Sequence, residues 1–229
     1  MSSTTGPNLA ASFSVSGNGV LVYQAGFPSS DLKWYDRTGR EAGVVGRPMA
    51  HWGNARISPD GRRVAAAVWS PETGGSGIWI FDANGRESRR LTFPPEVHRR
   101  PVWSPDGMHL AFGRSISTGQ GPRLGTLDLA GNGTSEHFGK GLPKEQFESI
   151  DHVNALATDW SRDGRFIAID DGVGAEVHNV WIADVAGRRI VPFLQNKFQQ
   201  WGGAFSPDNK RIAFVSVESG RGGSLRSGL

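Results

Sequence analysis

The stretch Trp103-Ser104-Pro105-Asp106-Gly107-Met108-His109-Leu110-Ala111-Phe112 decides the fold. Its first half recurs as Ile57-Ser58-Pro59-Asp60-Gly61, Trp160-Ser161-Arg162-Asp163-Gly164 and Phe205-Ser206-Pro207-Asp208-Asn209, with a degenerate copy at Phe13-Ser14-Val15-Ser16-Gly17. Physically the phrase is a tight turn. Proline presets φ, aspartate bonds locally to the backbone, and glycine accepts φ > 0. Asn209 stands where the other full copies hold glycine, and asparagine is the residue next most tolerant of that conformation. A serine–aspartate pair repeated in every unit is not one active site, so its oxygens are expected to satisfy backbone donors inside the turn.

The spacing of the serines sets the architecture. From Ser14 the intervals are 44, 46, 57 and 45 residues. A period of roughly 40–45 residues with several short strands per unit fits the blade of a β-propeller. In the second unit, Arg56-Ile57-Ser58 closes an inner strand, and Arg63 to Trp69 is apolar enough for burial on both faces. Pro71 to Gly77 reads as a loop, Ile78 to Asp82 as a third strand, Asn84-Gly85 as a hairpin turn, and Glu87 to Phe93 as a charged outer strand. The later units repeat this with strands at Met108 to Ser115, Leu124 to Leu129, Phe166 to Asp170 and Val180 to Asp184. The fold class expected is all-β: four-stranded antiparallel blades, about four full ones plus a partial fifth, in an incomplete ring. The blades fall at about 12–48, 49–93, 94–140, 152–195 and 196–220. Flexible ends are expected at 1–11 and 221–229, with an inserted loop at 139–154 that carries the material for a short helix.

Composition agrees. The chain has 229 residues, 32 glycines and 13 prolines for turns, and 8 tryptophans and 12 phenylalanines for packing between sheets. It has no cysteine, which excludes disulfides and thiolate metal sites. The formal charge is +3, with arginines scattered over turns and strand ends, a pattern of solvated edges rather than a nucleic-acid surface. No apolar run reaches transmembrane length, and residues 1–11 carry neither the basic nor the apolar segment of a signal peptide.

Longer phrases carry a family resemblance. Trp103 to Gly107, Leu110-Ala111-Phe112 and Ile78-Trp79-Ile80-Phe81-Asp82 resemble TolB-type, WD-repeat-like propeller repeats. Gly19 to Tyr23, Leu32 to Gly39, Thr158 to Phe166 and Val191 to Gln195 resemble the propeller that follows the kinase domain in many bacterial serine/threonine protein kinases. The resemblance covers Ser12 to about Gly220, and it implies a noncatalytic module that binds a protein, peptide or small ligand as a sensor or scaffold. Its alternatives are the accessory propeller of a serine peptidase and a periplasmic TolB-like protein. Members continue with a further strand after the fifth unit; Gly222 to Leu229 shows no such pattern, so the chain reads as part of a longer propeller, and self-association through open blade faces is expected. Kinase motifs and a nucleophile elbow are absent from the sequence.

Propeller ligands meet the central channel or its rim, which the segments just before each inner strand reach. Those segments hold His51, Trp52 and Asn54; His98, Arg99 and Arg100; His152 and Asn154; and Gln200 and Trp201. Their shared register and mixed cationic, aromatic and amide chemistry make them the candidate ligand surface. No catalytic group, cofactor or metal ligand is assigned. The acidic loop Asp170-Asp171-Gly172, with Glu176 and His178, offers calcium-type oxygens but lacks the alternation of a calcium-binding loop.

Overall fold

The computed structural model describes residues 13–15, 21–25, 30–50, 54–70, 72–84, 87–116, 123–130, 135–146, 155–171, 178–194, 196–218 and 223–228. Their strands form five antiparallel sheets, each a simple up-and-down meander. Blade 1 holds β1 (Phe13–Val15), β2 (Leu21–Ala25), β3 (Ser30–Tyr35) and β4 (Glu41–Met49). Blade 2 holds β5 (Arg56–Ile57), β6 (Arg63–Ser70), β7 (Gly75–Asp82) and β8 (Ser88–Arg90). Blade 3 holds β9 (Glu96–Trp103), β10 (His109–Ile116), β11 (Arg123–Asp128) and β12 (Ser135–His137). Blade 4 holds β13 (Leu156–Trp160), β14 (Phe166–Asp170), β15 (Val180–Asp184) and β16 (Arg189–Leu194), and blade 5 holds β17 (Gln200–Phe205), β18 (Arg211–Ser216) and β19 (Gly223–Gly228).

The repeated phrase does what its chemistry requires. Ser104 Oγ donates to Asp106 Oδ1 at 2.5 Å and accepts the His109 amide at 2.9 Å. Asp106 Oδ1 also accepts the Met108 amide at 2.9 Å. The Ser104 amide donates to the His109 carbonyl at 3.0 Å, and the Gly107 amide to the Ser104 carbonyl at 2.9 Å. The same serine–aspartate and serine–amide bonds recur from Ser58, Ser161 and Ser206. Gly61, Gly107, Gly164 and Asn209 occupy the left-handed region, with φ of 72°, 69°, 76° and 58°. Each turn thus closes on its own atoms and fixes the register between an inner strand and its neighbour.

Packing follows from the two-residue period of the strands. In β6, Val64, Ala66 and Val68 join Leu32, Trp34 and Val45 of blade 1 in one core. The intervening Ala65 and Ala67 join Trp103, Leu110 and Phe112 of blade 3 in another. Small residues on one face of β6 admit the large ones of the next blade, and both faces are dry, as expected from the apolar run. β14 repeats the device: Ile167 and Ile169 face blade 3, and Ala168 faces Ile212 and Phe214 of blade 5. Fully buried Phe81 and Phe112 each stabilise the stack by about 1.5–3 kcal/mol.

Side chains also stitch one blade to the next. Trp34 Nε1 donates to the Ala83 carbonyl and Trp103 Nε1 to the Arg56 carbonyl, both at 2.9 Å. Arg63 lies 4.8 Å from the Trp103 ring centroid and donates to the Gly107 carbonyl at 2.8 Å.

Three expectations need correction. Gly75 to Gly77 belong to β7 rather than to a loop, because the β6–β7 ladder runs on to Ser70 opposite Gly75. The outer strand of blade 2 is only Ser88–Arg90. Most consequentially, residues 223–228 do not belong to a flexible end: Gly223–Gly228 pairs antiparallel with β18, from Ser216–Gly223 to Arg211–Gly228. Ladder hydrogen bonds come from the backbone, so a glycine- and serine-rich segment with no apolar alternation still adds a strand. In the 139–154 insertion, residues 144–146 make a single helical turn and 147–154 lie outside the described residues, as do 1–11.

Candidate ligand surface on the inner strands

Counting back from the serine of each full turn aligns the inner strands. Four residues before it stand Asn54, Arg100, Ala157 and Gly202. Three of these have positive φ: Asn54 at 55°, Arg100 at 51° and Gly202 at 71°. Register shifts fall at the same level. Arg100 and Pro101 sit between the Val102–Ala111 and Arg99–Gly113 pairs, Thr158 between Ala157 and Asp159, and Gly202 and Gly203 between Trp201 and Ala204. Each inner strand of blades 3, 4 and 5 therefore bulges where the blades converge, and a bulge re-aims the side chains beside it.

Beside the bulges, charged side chains link blades 2 to 5. Arg100 Nη1 is 3.0 Å from Asp170 Oδ2 at the end of β14. Asp170 Oδ1 accepts the Gly202 amide at 2.9 Å, so one buried carboxylate ties blades 3, 4 and 5 together. Arg56 on β5 and Asp159 on β13 attract each other, and Asp159 Oδ2 accepts the Phe205 amide at 2.6 Å. Burial pushes both carboxyls above the ordinary 3.8; backbone amides and the neighbouring arginines pull the other way. Burial likewise lowers the Arg56 and Arg99 guanidiniums, with Arg100 acting on each in the same direction.

The residues expected at the rim divide. His51, Trp52, His152 and Asn154 lie outside the described residues. Asn54 precedes β5, and Trp201 is half-buried at the start of β17. His98, Arg99 and Arg100 lie within β9 instead of before it, and Gln200 opens β17. His98 and Gln200 are each only 1% exposed, which corrects their placement on a solvent-facing rim. His98 Nε2 meets Glu96 Oε2 at 3.1 Å, its ring stands edge-on to Phe112, and Arg114 forks onto the same glutamate. Burial holds the imidazole below the usual 6.5, ahead of the opposing pull of Glu96. His98 is therefore a packing residue; Arg99, Arg100, Asn54 and Trp201 keep an exposed part.

Arg56 and Asp159 belong to the group and were not among the sequence candidates. Aligning the turns reveals them: two residues before the serine stand Arg56, Val102, Asp159 and Ala204. The position accepts valine and alanine, so charge there is not a requirement of the framework. The acidic loop has structural duties. Asp171 accepts the Asn179 amide at 2.6 Å and Trp181 Nε1 at 2.7 Å. Glu176 lies outside the described residues, and among the described ones no three His, Asp or Glu side chains are grouped to hold a metal.

Known proteins of the same shape agree with the blade geometry. The crystal structure of TolB from Acinetobacter baumannii superposes with a TM-score of 0.70 at 20% identity, over 95% of this chain and 51% of that one. This chain has the fold of a TolB-like β-propeller. Among curated proteins, a TolB homolog of Chlorobium chlorochromatii (strain CaD3) is 29% identical over 152 residues, 65% of this chain and 30% of that protein. The uncharacterized peptidase YuxL of Bacillus subtilis (strain 168) is 26% identical over 159 residues, 69% of this chain and 21% of that one. The propeller thus spans under a third of the length of these relatives. No family model matches the chain. An oligogalacturonate lyase in complex with manganese also shares the fold, at a TM-score of 0.67 and 15% identity, so shape alone does not separate binders from enzymes.

Proposed function

We propose that the propeller is a noncatalytic binding module whose ligand is a peptide or protein segment seated on the inner-strand surface of Asn54, Arg99, Arg100 and Trp201. The observation that carries this reading is the Arg100–Asp170 pair between blades 3 and 4, beside the bulges at one level of the inner strands of blades 3, 4 and 5. The carboxylates there are already engaged: Asp170 with Arg100 and the Gly202 amide, Asp159 with the Phe205 amide. A general base or nucleophile needs a partner poised for substrate, and these serve the backbone instead.

The TolB homolog and the peptidase among the relatives favour an accessory module of a larger protein over the kinase-linked sensor suggested by the sequence resemblance. In the TolB-like form the propeller docks a protein partner; in the peptidase form it receives substrate for a neighbouring hydrolase. Both use the same surface. Selecting binders from a displayed peptide library with the purified chain, then measuring their affinity for Trp201→Ala and Arg100→Gln, tests the reading. Loss of binding in both variants is expected, and unchanged affinity in both refutes it. Turnover of a quenched fluorogenic peptide library by the chain alone would overturn the noncatalytic assignment.

A further inference from the structure

We propose that the cleft between the turns of blades 3 and 4 is a second binding site, which takes the guanidinium of a peptide arginine on the face of Trp160 beside Asp106. It stands apart from the inner-strand surface and does not depend on the reading given for that surface.

The junctions between blades repeat one set of positions. Between blades 2 and 3, Arg63 stands five residues after its turn serine. Its guanidinium lies 4.8 Å from the centroid of the Trp103 ring and donates to the Gly107 carbonyl at 2.8 Å. Asp60 of the same turn attracts it, and the covered Trp103 is 6% exposed. Between blades 4 and 5 the same position holds Phe166, which packs with Phe205 on the shared core. Between blades 3 and 4 it holds His109, whose side chain is 46% exposed and lies 3.7 Å from Asp106 on its own turn.

The turns themselves stack alike. A Cβ on Gly107 would stand 3.7 Å from Pro59 Cδ, and one on Gly164 would stand 3.6 Å from Pro105 Cγ. The difference is the filling. With His109 turned outward, the junction of blades 3 and 4 keeps a cavity of about 330 Å³, large enough for a small-molecule site. Phe138 and Trp160 line it with rings, and Asp106, His109 and Arg188 line it with polar groups. Trp160 is left only half-buried.

Each partner that Arg63 finds has a counterpart here. Trp160 offers a ring for cation–π stacking. Asp106 offers a carboxylate, held below the ordinary 3.8 by the Ser104 hydroxyl and then the Met108 amide, and so charged at neutral pH. The Gly164 carbonyl accepts Trp160 Nε1 at 3.1 Å and has a second lone pair. Arg188 is an opposing charge, and its guanidinium is turned to the Phe138 carbonyl at 3.2 Å. A flat guanidinium stacks and donates at once, which an ammonium does not, so the slot favours arginine over lysine.

Saturation-transfer NMR on the full chain tests this with three acetylated, amidated tripeptides, each a central arginine, lysine or phenylalanine flanked by glycines. The arginine peptide is expected to bind with saturation concentrated on its side chain, the lysine peptide to bind more weakly by about threefold or more, and the phenylalanine peptide not to bind. His109→Arg rebuilds the Arg63 arrangement within the chain. Loss of arginine-peptide binding in that variant, with a Tm at or above the parent's, supports the proposal, and unchanged binding overturns it. Trp160→Leu is expected to weaken binding by about tenfold. Should that variant not fold, His109→Arg still decides. Arg188→Gln removes the opposing charge and is expected to tighten binding. Arg100→Gln, on the inner-strand surface, is expected to leave it unchanged; an equal loss there moves the peptide to that surface and overturns the proposal. Equal binding of all three peptides, or preference for phenylalanine, overturns it as well.

Discussion

Replacing Ser104 by alanine isolates the turn on which each blade is founded. Ser104 is only 3% exposed, and its hydroxyl serves Asp106 and the His109 amide at once. Alanine leaves that amide without its acceptor in a half-buried hairpin, at about 1–3 kcal/mol. The Asp106 side chain is 58% exposed and recovers its hydration, so it adds little. The loss is about 2 kcal/mol. For a chain of this size each kcal/mol moves the midpoint by about 2–4 °C, which gives a fall in Tm of about 4–8 °C. Ser206 makes the same bonds in an exposed turn, where water replaces the hydroxyl, and Ser206→Ala is expected to cost about 0.5–1 kcal/mol. Thermal melts of both variants and the parent decide the matter. Acid adds a second readout. The Ser104 hydroxyl, then the Met108 amide, holds the Asp106 carboxyl below the ordinary 3.8. Such a group contributes stability above its unfolded pKa and loses it as pH falls through the folded value. The parent should therefore lose more stability than Ser104→Ala between pH 5 and pH 2 (approximate limits). Equal Tm shifts for the two alanine variants, or none for Ser104→Ala, would refute the account of the turn.

Three further perturbations probe other parts of the stack. Asn209→Ala forfeits both a residue suited to φ of 58° and the bond from the Arg162 amide to its Oδ1, and should cost about 1–2 kcal/mol in urea melts, whereas Asn209→Gly should cost less. Gly77→Ala sets a Cβ 2.6 Å from the Thr92 carbonyl oxygen and 2.8 Å from Arg90 Nε; a destabilisation of about 1–3 kcal/mol is expected by the same measurement. Asp170 has the opposite sign to Asp106. Its carboxyl is raised by burial, so its contribution is full below the unfolded pKa and declines as pH rises through the folded one. Asp170→Asn should remove that decline from a pH series of melts, and a decline that persists in the variant would remove Asp170 from the account.

The fold was legible because its instructions are written in short-range chemistry. Ser104, Asp106 and Gly107 satisfy one another within five residues, and the same local code appears four times. The apolar run of β6 announced a strand buried on both faces, and Phe166–Asp170 and Val180–Asp184 coincide with the observed β14 and β15. β19 escaped because a ladder of amides and carbonyls leaves no mark on a Gly-Ser-rich sequence. The site was legible in level but not in membership. Segments near the inner strands were identified, yet His98 and Gln200 turned inward, since a two-residue period reverses a side chain with each step. The bulges at Arg100, Thr158 and Gly202 change that step and have no shared local signature, glycines standing only at Gly202 and Gly203. Arg56 and Asp159 show in the sequence only as the charged members of a position that elsewhere holds valine and alanine, and their mutual attraction joins strands about a hundred residues apart.

The self-contained turn has a consequence for how such a molecule diversifies. Because the anchoring bonds begin and end within one hairpin, a blade does not depend on its lining for its shape. Arginine, valine, aspartate and alanine occupy one equivalent slot in four consecutive copies. A duplicated scaffold of this kind lets each copy drift at the axis independently, so new specificities can be composed one slot at a time while the chassis stays as it is.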